Sequence, residues 1–143
     1  MPKAIFVNLP VADLDHATQF YEAIGCTRNA QFSDHKASSM VWSEHITFQL
    51  LAREYFSGFA PKPIADPHAA AQVILCLSRD TREEVDGLVE AAQRAGGGID
   101  VRAPIEFDFL YNRAFEDPDG HLFEVVWVNP AAMAGSSAEQ AAA

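Results

Sequence analysis

Basic side chains are in short supply in this chain: ten Lys and Arg stand against twenty Asp and Glu over 143 residues, a formal net charge of −10. Binding nucleic acid takes a basic surface that displaces phosphate counterions, so that class of partner is excluded. Cysteine is rarer still. Cys26 follows a helix-ending glycine and Cys76 lies inside an expected strand. Two such residues make neither a disulfide framework nor a zinc spacing, and they read as small apolar fillers in a reducing cytoplasm. Long hydrophobic runs are missing as well: none approaches the roughly 18 residues of a spanning helix. Met1-Pro2-Lys3 leads into a strand rather than a signal peptide, so no membrane partner is expected.

What the chain does have is one plan written twice. Residues 4–11 are strand-like in their β-branched content. Asp13 then caps a helix whose apolar face is Leu14, Ala17, Phe20, Tyr21 and Ile24, stopped by Gly25. Residues 31–32, 37–42 and 46–51 follow as short strands. The second pass opens with a strand at 72–77, a cap at Asp80 and a capping box over Thr81-Arg82-Glu83-Glu84. Val85, Leu88, Val89, Ala92 and Ala95 form its apolar stripe, Gly96-Gly97-Gly98 stops it, and strands at 99–102, 112–115 and 122–128 complete it. The expected fold class is α+β: two β-α-β-β-β repeats, each with an open sheet that must find a cover for its concave face. One domain spans 1–130, with repeat one at 4–52, a connection at 53–69 and repeat two at 70–130. Pro61, Pro63 and Pro67 break regular structure in the connection, yet Tyr55, Phe56 and Phe59 make it too apolar for a free linker. It reads as a lid or a subunit contact. Residues 131–143 are an Ala/Ser/Gly tail, frayed or loosely helical.

The densest information lies in residues 115–124. Asp117-Pro118-Asp119-Gly120 is a turn, with proline presetting one central angle and glycine tolerating the positive φ that closes it. The strand that follows carries a single carboxylate, Glu124, in an apolar run. An unpaired buried carboxylate is costly, so Glu124 should face a cavity, a cation or a hydrogen-bond partner. This turn and strand, together with residues 6–14 and Phe20-Tyr21 before Gly25, resemble the glyoxalase/bleomycin-resistance/dioxygenase superfamily, the vicinal oxygen chelate fold. Met40-Val41-Trp42-Ser43-Glu44 and Glu124-Val125-Val126-Trp127 are similar to its lactoylglutathione-lyase-like branch. The resemblance implies that the two repeats pair into a curved mixed sheet around one cavity. It also implies a homodimer, since relatives cover sheet edges by pairing subunits.

The family's metalloenzymes hold a divalent ion with ligands on the first and last strand of each half, where it binds both oxygens of a substrate. Carried over, the last-strand positions are Gln49 and Glu124. The first-strand positions are Phe6 and either Val73 or Ile74, none of them a ligand. Two side-chain donors make a poor site for zinc, nickel or iron, so a tightly held transition metal is not expected. Asn8 shares a strand face with Phe6, and Gln72 with Ile74. His16, His35, His68 and His121 are scattered and read as surface residues. His45 lies four strand residues from Gln49, roughly 13 Å away. Glu124 keeps two readings: a catalytic base or metal ligand with its pKa raised by burial, or a carboxylate satisfied by Gln49, Asn8 or a tyrosine. Arg113 either binds an anionic substrate group or pairs with carboxylates such as Glu116 and Asp117. Trp42, Phe107, Phe109 and Tyr111 either wall the cavity or pack as core.

Three functions fit this pattern: a metal-dependent lyase, isomerase or dioxygenase; a protein that sequesters a small ligand, cationic in view of the charge, such as an antibiotic; or a metal-free enzyme with Glu124 as base and Gln49 or Asn8 polarising a carbonyl. The fold alone does not choose among them. The common expectation is a small molecule held by Asn8, Gln49, Trp42, Phe109, Tyr111 and Arg113, with Glu124 at the reacting end.

Overall fold

A computed structural model describes residues 2–132 of the chain. Strict alternation in β1 (Ile5–Val11) sends Val7, Leu9 and Val11 to one face and Phe6, Asn8 and Pro10 to the other. The Asp13 carboxylate accepts from the His16 backbone N–H at 3.0 Å and starts α1 (Leu14–Ala23). Gly25, at φ 116°, ends it. The next strand, β2 (Thr27–Arg28), comes earlier than the one expected at 31–32, which is instead a 3-10 turn (Ala30–Phe32). The cause is Asn29, whose side chain accepts from the Gln31 N–H and curls the backbone out of the ladder. With β3 (Ala37–Ser43) and β4 (Ile46–Ala52) these strands form a sheet in the order β1-β4-β3-β2. The connection begins with one further short helix, α2 (Arg53–Ser57).

The second half repeats the plan with β5 (Ile74–Ser78), α3 (Arg82–Arg94), β6 (Gly98–Ile99), β7 (Ile105–Phe107), β8 (Leu110–Glu116) and β9 (Leu122–Val128). Its helix is capped by Thr81 rather than Asp80: the Thr81 hydroxyl accepts from the Glu84 N–H at 3.1 Å. The strand expected at 99–102 ends at Ile99, because Asp100 takes a left-handed φ of 49° and turns the chain away. The order is β5-β9-β8-β6, with β7 paired to β8. The α+β architecture of two repeats is thus as the sequence implies. The tail expected to fray lies, from residue 133 on, outside the described residues. Among those residues no helix is long and apolar enough to cross a membrane.

Within one chain the two sheets do not join into a single curved sheet. They meet through their helix-bearing faces instead. The Tyr21 ring of α1 packs on Phe48 of β4 at 5.6 Å and on Phe123 of β9 at 6.0 Å, and Phe48 and Phe123 touch at 5.6 Å. Phe115 stacks on Phe123 at 5.1 Å, and Val85, Val89 and Ala92 of α3 fill the rest. Each such buried ring is worth about 1.5–3 kcal/mol in transfer free energy. Gly97 sits at the closest approach, where an added Cβ would lie 2.5 Å from the Glu116 carbonyl and 2.7 Å from the Phe20 ring.

Polar ties reinforce the junction, and the Asp-Pro-Asp-Gly turn supplies most of them. The Ala12 N–H donates to Asp119 at 2.8 Å, the Tyr21 hydroxyl donates to Asp117 at 2.7 Å, and the His121 Nε2–H donates to the Pro10 carbonyl at 2.8 Å. Asp117 is therefore not a surface partner for Arg113; it is buried. Back-to-back packing leaves the open face of each sheet pointing outward.

Candidate functional site

Open faces are where functional side chains accumulate, and each sheet has its own. On the first, Asn8 and Gln49 are register partners on adjacent parallel strands, so their amides lie side by side. The chain after β4 folds across them. Phe6, Phe32, Leu51, Tyr55, Phe56 and Phe59 wall a cleft of about 640 Å³ with the two amides on its floor. Lys36 Nζ lies 5.6 Å above the Tyr55 ring at its side. The cleft offers donors, acceptors and π-faces and no carboxylate, a surface suited to a flat apolar ligand with one or two polar groups. A second, more apolar cleft of about 470 Å³ lies beyond Asn8, between β1, the proline-rich connection and β5.

On the second sheet Glu124 is flanked across the ladder by Cys76 and Ala114. Arg102, from the segment after β6, donates through Nη2 to both Glu124 and Asn112 and through Nη1 to the Ala103 carbonyl at 2.9 Å. Burial and then the Glu124 carboxylate push the Cys76 thiol upward.

Gln49 and Glu124 are not brought together in one chain. Their strand neighbours Phe48 and Phe123 touch, and adjacent residues of a strand point oppositely, so the amide and the carboxylate point away from each other. Three other candidates lie on the helix side rather than an open face. Trp42 packs beneath Gly25, with the Arg79 guanidinium 5.9 Å from its ring. The Tyr111 hydroxyl donates to Asp86 of α3 at 2.7 Å. Arg113 donates to Asp86 at 2.9 Å and to both oxygens of Asp100, which pushes the guanidinium pKa further up. Phe109 sits at the exposed β7–β8 tip, stacked on Phe107 at 5.6 Å. Arg102 and Asn112 went unnoticed in the sequence. For Asn112 a signal existed, since it alternates with Ala114 one strand from a carboxylate in need of a donor; a loop arginine gives none.

Nor do the residues present fit a divalent ion. The first-strand position is Phe6, which donates nothing, and the Glu124 carboxylate is already held by a guanidinium. Among the described residues, no three His, Cys, Asp or Glu side chains gather where an ion would need them.

The chain belongs to the Glyoxalase/Bleomycin resistance protein/Dioxygenase superfamily, whose family model matches residues 4–125. A hypothetical protein from S. aureus is 29% identical, superposes with a TM-score of 0.74, and is matched over 89% of this chain and 94% of its own. A glyoxalase/bleomycin resistance protein/dioxygenase family enzyme from Burkholderia phytofirmans is 21% identical with a TM-score of 0.72, over 89% and 99% of the two chains. An antibiotic binding protein from a Streptomyces species is 19% identical with a TM-score of 0.62, over 90% and 98%. The last two likenesses show the fold alone. No curated protein matches the sequence significantly.

Proposed function

We propose that the protein sequesters an aromatic small molecule, neutral or cationic, in the cleft of the first sheet and does not transform it. The observation that carries this reading is the Asn8–Gln49 amide pair on the floor of a cleft walled by Phe6, Phe32, Tyr55, Phe56 and Phe59. Such walls supply binding energy through area and stacking, while two amides fix orientation without activating a substrate. The net charge of −10 favours a cation in the surrounding field, and the Streptomyces relative is described as binding an antibiotic. The lactoylglutathione-lyase-like resemblance and the lyase, isomerase and dioxygenase readings need a divalent ion, and they are disfavoured because no three His, Cys, Asp or Glu side chains gather among the described residues. A metal-free reaction with Glu124 as base is weakened by Arg102, which already occupies the carboxylate.

The working form in this proposal is a homodimer in a reducing cytoplasm. The unpaired edges β1 and β5, with Val73 just before β5, expose Ile5, Phe6, Val73 and Ile74, each more than half accessible. A second copy covers those edges.

The test of binding is fluorescence titration with thioflavin T, a flat aromatic cation. Saturable binding, weakened at least about tenfold by Phe59→Ala combined with Gln49→Leu, is the expected outcome, from one lost aromatic wall and one lost hydrogen bond. Equal binding by that variant sinks the assignment of the cleft. Turnover of a hemithioacetal or catechol substrate with metal added sinks the claim of sequestration.

A further inference from the structure

The mismatch between the family's metal position and this chain has a specific content: a guanidinium is there. Arg102 reaches over β8 and β9, and one of its nitrogens bridges the Glu124 and Asn112 oxygens. Its Nη1 is also tied to the Ala103 carbonyl, so the head group is held from three directions rather than waving in solvent. The Arg102 and Glu124 side chains are 33% and 23% accessible, which puts both at the floor of the open face with one side still reachable. The Arg102 Nε–H and its second Nη1–H have no acceptor among the described residues. Around the pair the face is mostly apolar, with Glu116, two residues beyond Ala114, at its far edge. Ile105 stands opposite Asn112 and Phe107 opposite Leu110 across the β7–β8 ladder, while Ile74 and Cys76 lie one strand from Leu122 and Glu124. Ile74, Ile105 and Phe107 are all exposed. A preset cation with spare donors on an apolar platform is a recognition site for an anion that carries an apolar body.

We propose that Arg102 stands in for the divalent cation and makes the open face of the second sheet a metal-independent site for small apolar carboxylates. Asn112 holds the guanidinium in place. Glu124 is the built-in competitor: it occupies the same cation in the empty site and yields part of it to the incoming carboxylate. That role gives Glu124 an opposite sign from a metal ligand, a catalytic base or a direct binding residue. The site lies on a different sheet from the Asn8–Gln49 cleft and does not depend on the reading of that cleft.

The experiment is a titration of the full chain with benzoate, followed by ligand-observed NMR or calorimetry, with benzamide as the uncharged isostere and EDTA present or absent. Benzoate is expected to bind and benzamide not, equally with and without EDTA. Arg102→Met should weaken benzoate at least about tenfold, the loss expected for one charged hydrogen bond. Arg102→Lys should recover part of that loss, because charge is restored without the planar fork. Glu124→Gln should tighten benzoate severalfold, since the amide keeps the shape and gives up the competition. Circular dichroism melts establish that each variant is folded. Benzoate affinity unmoved by Arg102→Met, weakened by Glu124→Gln, or abolished by EDTA would each overturn the proposal, as would stoichiometric nickel or zinc binding that is lost in Glu124→Gln.

Discussion

Replacing Tyr21 by Phe removes one oxygen from a fully buried ring and nothing else. The ring contacts with Phe20, Phe48 and Phe123 remain. What goes is the donor 2.7 Å from Asp117 Oδ2, while Asp117 Oδ1 keeps the backbone N–H groups of Asp119 and His121. A hydrogen bond to a buried carboxylate is worth about 1.5–3 kcal/mol, which for a domain of this size lowers the melting temperature by roughly 5–10 °C. The pH dependence sharpens the test. Burial raises the Asp117 carboxyl above its ordinary 3.8, against the lowering influence of His121 and of the Tyr21 bond. A carboxyl raised in the folded state contributes stability that is complete below its unfolded pKa and is lost as pH rises through the folded one. Taking away the Tyr21 donor removes a lowering influence, so the folded value climbs further and the deficit of Tyr21→Phe is larger at pH 7 than at pH 4. Burial and the facing carboxylate push the Tyr21 phenol well above its ordinary range, so it stays a donor throughout. Thermal melts at both pH values read this directly. An Asp117→Asn background, which cannot titrate there, should flatten the difference. A Tyr21→Phe protein that melts with the parent, or whose deficit is the same at pH 4 and pH 7, refutes the account of the junction.

The other expectations are simpler to state. Arg113→Met should cost about 1–2 kcal/mol, because its carboxylate partners are partly solvated, and should leave thioflavin T and benzoate affinities within twofold; a selective loss of either ligand would return Arg113 to a binding site. Gly97→Ala should destabilise by about 1–3 kcal/mol or more, since its Cβ meets backbone that cannot retreat; an unchanged melting temperature would mean the two halves are looser than the contacts imply. Burial pushes the Cys26 thiol up to about 12, so at pH 8 it should stay silent to a disulfide reagent until denaturant is added. Light scattering should return twice the 15.6 kDa chain mass, and Ile74→Asp on the β5 edge should shift the protein toward monomer; a parent that is already monomeric at micromolar concentration ends the dimer proposal.

Local signals in the chain were legible because their causes are local. Asp13 caps α1 through its own carboxylate, Gly25 stops it with a positive φ, and the Thr81 hydroxyl of the expected capping box accepts from the Glu84 N–H, one residue from the cap expected at Asp80. The repeat and hence the fold class followed from these. Asn29 was missed because a side-chain bond two residues long outcompeted strand propensity at 31–32. The relation between the halves was the larger loss. Alternation tells which residues of β4 and β9 share a face, but it does not tell which face meets the other half. Both faces of β4 and β9 carry plausible interior residues, Phe48 and Phe123 on one side, Gln49 and Glu124 on the other. Polar residues on a strand suggested a lined cavity, and a family analogy supplied the facing partner. In the folded chain the phenyl rings win the interior, because burying Phe48 and Phe123 against Tyr21 is favourable by several kcal/mol, whereas enclosing Gln49 and Glu124 would bury polar groups that need partners. The polar residues are therefore turned outward, Glu124 takes its partner from a loop in Arg102, and the two open faces and the β1 and β5 edges are left to be closed by something other than this chain's own second half.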